Sequence, residues 1–311
     1  MAEVIKKGEL FAPEIVTDLF NKVAGKSTLA KLAGTMPVPF NGAEMFTFSM
    51  DDEVNIVAEG GEKPAGSASV TPIKVVPIKV EYGARVTEEF MYASEEKQLE
   101  VLKAFNEGYA KKVARAIDIM AIHGLNPRTK ESSSLIGTNS FDTNTKVAKI
   151  VYDEAKIEEN IETAIAEVNE AYDVTGMAMS KTFSASLAKL KVNGVKQYPE
   201  LAWGANPGNV NGLAVDINST VSFNNSKDKA IVGDFANAFK WGYAKEIPLE
   251  IIPYGDPDQS GKDLKANGQI YLRCETYIGW GILDPTAFAR IEAADEWFCN
   301  STRRNRTLER T

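Results

Sequence analysis

The chain has 311 residues, 44% apolar and 25% charged, with a net charge of −8. This is the composition of an ordinary folded domain, or of two to three smaller ones, and its acidic balance excludes nucleic-acid binding through an overall basic field. Two cysteines, Cys274 and Cys299, show neither metal nor disulfide spacing, and the single histidine, His123, excludes a two-histidine zinc site.

The opening "MAEVIKKGELFAPEIVTDLF" lacks the apolar core of a signal peptide, and no window approaches the roughly 18 apolar residues of a membrane helix. With the cysteine usage, this points to a reduced, cytoplasmic site of synthesis. Residues 13 to 33 read as one or two short helices, with Ile15, Leu19 and Val23 at spacing four and Ser27 as a cap for a turn carrying Leu29 and Leu32. Residues 43 to 88 turn β-rich around the polar stretch "GGEKPAGSAS". They predict a long two-stranded excursion, with Lys74, Val76, Ile78 and Val80 on one face. Pro72 and Pro77 each remove a ladder donor, which suits an edge or protruding ribbon.

Residues 94 to 123 give the clearest helix, with a stripe of Leu99, Leu102, Phe105, Tyr109, Val113, Ala116 and Met120 and a stop at Gly124. A loop follows. A second helix is predicted over 153 to 173, a short strand at "GMAMS", and a third helix from Lys181 to Val192 capped by Ser180 and ended by Gly194. From 212 onward the strands "GLAVDIN", "KAIVGDF", "AFKWGYAK" and "LEIIPY" lead to a long run over 269 to 283. There Ile270, Leu272, Cys274, Thr276 and Ile278 share one face, and Tyr271, Arg273, Glu275 and Tyr277 the other. Such a strand spans roughly 50 Å, far beyond the usual length. Elements this long suit an extended protein better than a compact enzyme.

Candidate chemistry is sparse. "GKST" at residues 25 to 28 lacks the earlier glycine and the preceding strand of a phosphate-binding loop. Asp256, Asp258, Ser260 and Gly261 match the first half of a calcium loop, but Asn267 stands where its last glutamate belongs and Pro257 sits second; a turn between strands is the simpler reading. His123 suits capping or packing at a helix C-terminus. Arg273 and Glu275 read as a salt-bridge ladder. The arginines of the tail, Arg303, Arg304, Arg306 and Arg310, could touch nucleic acid or an acidic partner, but read first as a free end. A metal-dependent hydrolase would have to draw on Asp256, Asp258 and Glu275.

Four stretches together resemble the major capsid proteins of tailed double-stranded DNA phages, whose shell fold is shared with encapsulins. They are "VAEGGEKPAGSASVTPIKVVPIKVEYGARVTEEFM", the helix end "ARAIDIMAIHGLN", "KAIVGDFANAFKWGYAKEIPLEII", and "YGDPDQSGKDLKANGQIYLRCETYIGWGILDPTAFARIEA". The resemblance covers roughly residues 10 to 293. It implies an α+β phage major capsid fold with an N-terminal arm (1–42), an extended β-ribbon loop (43–88), a peripheral domain with a long spine helix (89–150), an axial domain (151–240), return strands and a loop of the peripheral domain (241–293), and a C-terminal tail (294–311).

The resemblance also implies a function. Copies would assemble as hexamers and pentamers into an icosahedral shell around double-stranded DNA, without turnover and without cofactor or metal. An acidic wall would let the DNA move where a basic one would trap it. Expected partners are further copies, a portal, a separate scaffolding or decoration protein, and DNA met without sequence specificity; no membrane is expected. The virion is the expected location, with assembly in the host cytoplasm. Because the arm begins almost at Met1, a fused scaffolding segment is not expected. Residues expected at contacts between subunits are Glu62, Lys63, Asp256, Asp258, Lys262, Arg273 and Glu275. Some members crosslink a loop lysine to an asparagine beside a buried glutamate. Lys63 and Glu275 fall at matching places, but the asparagine position falls on Gly268, one residue from Asn267, so no crosslink is expected. An encapsulin-like compartment holding protein cargo is the alternative reading.

Overall fold

The computed structural model describes residues 27–50, 54–59, 61, 65–92 and 95–294. The predicted turns carrying Ile15, Leu19 and Val23, the loop residues Glu62 and Lys63, and the arginine tail with Cys299 lie outside these residues. Helix α1 (Thr28–Leu32) opens the described chain, with Ser27 as its cap accepting from the Ala30 amide at 3.1 Å, as the sequence predicts.

Strands β1 (Ala43–Met50) and β2 (Ala68–Val75) pair antiparallel as a two-stranded ribbon. The excursion expected over 43 to 88 divides here. Strand β3 (Ile78–Thr87) leaves the ribbon and joins a three-stranded sheet in which β12 (Gln269–Ile282) is central and β11 (Phe239–Ile252) is the far edge. Val75 is buried and Val76 exposed, whereas Ile78 and Val80 are partly buried. The alternation therefore changes phase at Pro77, whose missing amide ends one ladder before the next begins.

Helix α2 (Glu95–His123) runs 29 residues, about 43 Å at 1.5 Å per residue. Its buried stripe of Leu102, Tyr109, Val113, Ile117 and Met120 follows the predicted periodicity, but Leu99 stays 51% exposed. The helix lies on β12 (Gln269–Ile282), where the Tyr109 hydroxyl donates to Thr276 Oγ1 at 2.8 Å. Strand β11 (Phe239–Ile252) fuses two predicted strands into one 14-residue edge strand. Its register slips between Ile247 and Glu250, at Pro248, where a bulge absorbs the missing donor.

A six-stranded sheet is ordered β4-β13-β10-β5-β9-β8. Its strands are β4 (Ala148–Tyr152), β5 (Gly176–Met179), β8 (Asn209–Val210), β9 (Leu213–Ile217), β10 (Asp228–Gly233) and β13 (Phe288–Ala293). Strand β13, expected among the return strands, lies here between β4 and β10. Helices α3 (Ile157–Asn169) and α4 (Lys181–Leu187) cover one face over Met177, Met179, Val215, Ala230 and Val232. Helix α4 stops five residues short of the predicted Val192. Asn193 and Gly194, at φ 51 and 81, instead form a tight turn joining β6 (Lys191–Val192) to β7 (Val195–Lys196), as an Asn-Gly pair favours.

The other face shares a core with the three-stranded sheet. Phe141, Phe235 of helix α5 (Phe235–Ala238), Phe239 and Phe288 are all fully buried, with ring centroids 5.0 to 5.8 Å apart along 141–288, 235–288 and 141–239. Each such burial contributes about 1.5–3 kcal/mol. Residues 35 to 38 cross the inner sheet along a strip without side chains. Gly242 and Gly279 are register partners, and a Cβ on Gly242 would stand 1.9 Å from the Met36 carbonyl oxygen. The Met36 amide donates to the Trp241 carbonyl at 2.8 Å, closing this crossing.

Candidate assembly surfaces

The first cluster fixes the N-terminal segment. Asp118, fully buried on α2, accepts from the Thr28 amide at 3.0 Å, the Leu29 amide at 3.2 Å, the Ser27 hydroxyl, and Thr220 Oγ1 at 2.8 Å. Burial pushes its carboxyl up from the usual range, and these bonds pull the other way. Thr28 Oγ1 donates to Asp216 at 2.8 Å, and Lys31 pairs with the same carboxylate at 2.7 Å. Ser27 and Thr28, the end of "GKST", thus face carboxylates, an environment that repels phosphate.

The second cluster surrounds His123. Its Nε2 donates to the Thr220 carbonyl at 2.9 Å, so Nδ1 can donate to Asp142, 2.7 Å away, only if the ring carries two protons. Burial opposes that charge, but the bonds to Asp142 and Asp228 outweigh it and raise the pKa to about 9. Burial and the Asp228 charge push Asp142 up; Asp228, though also buried, is held low by His123, Arg290 and Ser226. Arg290 bonds Asp142 and lies 3.5 Å from Asp228. His123, Asp142 and Asp228 have the spacing of a metal triad, but a guanidinium and an imidazolium already supply its positive charge. His123 packs as expected, though into a tertiary ion cluster rather than over the end of its own helix. Burial pushes the Cys274 thiol up to about 12, which disfavours the thiolate.

The third cluster builds the loop over 253 to 268. Arg85 of β3 donates to Asp258 Oδ2 at 2.9 Å, to Asp256 Oδ1 at 2.6 Å, to Gln269 Oε1 at 3.1 Å and to the Lys262 carbonyl at 2.9 Å. Asp256 also accepts from the Ser260 and Gly261 amides at 3.0 and 2.7 Å. The half calcium motif is therefore occupied by a guanidinium, and hydrogen bonds from Arg85 hold Asp258 well below the usual carboxylate range. Sequence reading missed Arg85; its only signal is an arginine within an otherwise apolar strand end. Asn267 is engaged too, donating to the Asp263 carbonyl at 2.7 Å.

The fourth cluster is a ladder across the three-stranded sheet. Arg273 pairs with Glu250 at 2.7 Å and approaches Glu275 at 3.5 Å; Lys79 pairs with Glu275 at 2.7 Å. Arg273 and Glu275 do form the predicted ladder. Glu275 stands four residues along β12 from Tyr271, the register partner of Arg85, a separation of about 13 Å. Asp256, Asp258 and Glu275 thus do not converge on one metal.

Elsewhere the ribbon stands open, with Phe46 72% and Val70 58% exposed. No described helix is long and apolar enough to cross a membrane. The first, third and fourth clusters close within the chain, Asp228 Oδ1 and Arg290 Nε of the second are buried without a hydrogen bond, and the two-stranded ribbon leaves apolar side chains uncovered. The profile of the phage capsid family matches residues 8–293, and the chain belongs to that family as a capsid shell subunit. A chain from Mycobacterium phage Ogopogo is similar at 30% identity and a TM-score of 0.71, over 86% of this chain and 92% of that one. One from Gordonia phage Cozz shares 23% identity at a TM-score of 0.71, over 86% of each. A chain from the capsid of an empty GTA particle shares the fold at 13% identity and a TM-score of 0.62, over 87% of this chain and 97% of that one. No curated protein matches.

Proposed function

We propose that copies of this chain form hexamers and pentamers that close into an icosahedral shell around double-stranded DNA. The supporting observation is the ribbon: two paired strands with exposed Phe46 and Val70 are marginal alone in water, and a neighbouring subunit supplies the missing cover. On this reading residues 43–88 carry the subunit-spanning loop, 89–150 and 241–293 the peripheral domain, and 151–240 the axial domain, between the arm (1–42) and the tail (294–311). The loop over 253 to 268, held by Arg85, presents Lys262 to its counterparts where capsomers join. Asp256 and Asp258 act there by shaping the loop, and Arg273 and Glu275 by stiffening the sheet behind it. Glu62 and Lys63 belong to the tip of the long loop. A portal, a separate scaffolding or decoration protein, and DNA on the inner face complete the partners, with assembly in the host cytoplasm.

Family and structural relatives are phage and GTA capsids, so an encapsulin-like compartment is not favoured. Negative-stain microscopy of the purified protein tests the proposal: shells are expected, and monodisperse monomers at every salt concentration refute it.

A further inference from the structure

We propose that the pocket beside Trp203 receives the acidic helix α3 of a second copy of this chain, so that every copy offers both halves of a head-to-tail contact. The proposal rests on the shell reading. Trp203 has a relative exposure of 102% and a left-handed backbone, φ 62 and ψ 21. That conformation is rare for a bulky residue and persists only where the surroundings impose it. The turn keeps the indole in solvent while its neighbour Leu201, 1% exposed, anchors the segment in the core. Beside the indole lies a pocket of about 480 Å³, walled by Ala188 and Ile217 and rimmed by Lys181, Lys189 and Lys196. Among the described residues, none of these three lysines is in an ion pair. Val192 and Val195, 54% and 67% exposed, extend the apolar surface on the adjoining hairpin.

Helix α3 has the opposite character. Glu158, Glu159, Glu162, Glu167 and Glu170 are all exposed along it. Lys156, at its start, is the cation beside them and pairs with Glu159 at 2.7 Å. The Tyr198 hydroxyl donates to Glu158 at 3.0 Å, so one flank of α3 faces the chain's own hairpin. At about 100° per residue, Glu159, Glu167 and Glu170 fall within about 80° of one another on the other flank. The helix packs over β4, β13 and β10 and touches α4, whereas the pocket lies between α4 and Ile217 of β9, further along the same sheet. The pocket lysines and the glutamates Glu167 and Glu170 form no ion pair with each other within the chain. Between copies related by rotation they meet repeatedly, and the contact closes into a ring. Opposite charges set orientation, and the bare indole supplies the anchor.

The test uses the full chain with two charge-reversed variants: Lys181→Glu with Lys189→Glu, and Glu167→Lys with Glu170→Lys. All four positions are exposed, and the melting temperature of each variant checks its fold. Sedimentation and negative stain read assembly. Neither variant is expected to assemble alone, because both of its surfaces then carry one sign. An equimolar mixture is expected to regain even-membered rings, in which the two variants alternate. Trp203→Ala is expected to raise the protein concentration needed for assembly by about tenfold or more. Wild-type shells alongside unimpaired variants overturn this proposal alone, as does a mixture that stays unassembled. Monomeric wild-type protein overturns the shell reading and this proposal with it. A Trp203→Ala protein that assembles normally but loses binding to a fluorescent DNA duplex assigns the loop to nucleic acid and also overturns it.

Discussion

Asp118 and Thr28 stand 90 residues apart in the chain and are joined by a 3.0 Å hydrogen bond in the core. The carboxylate on one helix serves as the N-terminal acceptor for another, short one. Five residues are too few to hold a helix in water, so α1 exists because Asp118 and Asp216 hold its first turn. Asp118→Ala strands two buried amides and the Thr220 hydroxyl and is expected to destabilise the fold by about 3 kcal/mol. Urea unfolding measures this, and an unchanged midpoint would contradict the assignment.

His123 predicts a pH dependence with a definite sign. Its pKa rises from 6.5 to about 9 on folding. The stabilisation is therefore complete below the unfolded value and is lost as pH climbs through the folded one. Between pH 6.5 and 9 the native state should lose roughly 3 kcal/mol. His123→Gln should flatten that slope; parallel curves for the two proteins would refute the imidazolium.

Arg85 holds the loop through a planar fork, which a lysine cannot reproduce. Arg85→Lys should leave the sheet intact but speed hydrogen exchange at the Gly261 and Leu264 amides, both bonded within the loop. Because Asp258 is held low, its contribution is present above about pH 3.8 and is lost only as pH falls further. Exchange protection should therefore be flat through neutral pH.

Gly242→Ala tests the bare strip. A Cβ there meets the Met36 carbonyl oxygen at 1.9 Å, so residues 35 to 38 must move off the sheet. Overpacking of this kind costs about 1–3 kcal/mol. The expected signature is a lower melting temperature with faster proteolysis before Thr35; wild-type resistance would show that the strip has slack.

Lys262→Glu probes the loop as a junction. The Arg85 clamp uses the Lys262 backbone carbonyl, not its ammonium, so the monomer should melt as wild type does. Shell formation should fall. Normal shells from this variant would remove Lys262 from the contact.

The long elements were legible because each has a sustained period. Helix α2 and strand β12 fall within a residue or two of their predicted ends, and the Ser27 and Ser180 caps hold as read. What escaped depends on partners distant in sequence. Phe141 sits in a segment read as loop, yet it contacts three other phenylalanines. Strand β13 is six residues with no alternation, because it is buried on both faces. Asp118 looks like one more charge on a helix, and only the fold shows which donors surround it. Among the candidate site residues, Asp256 and Asp258 were conspicuous by spacing. Their partner Arg85 lies 171 and 173 residues away, beyond any local pattern.

The bare strip also sets when the interior can close. Met36 lies against Trp241 and Gly242, and Val38 against Gly279, so a segment made early is enclosed by strands made late. During synthesis, at about 5–20 residues per second, those partners trail the segment by roughly 10–50 s. Until then residues 35 to 38 have no sheet to cross. A chain that ends before β12 therefore lacks the strands that enclose residues 35 to 38. The crossing thus ties closure of the interior to strands from the last quarter of the sequence.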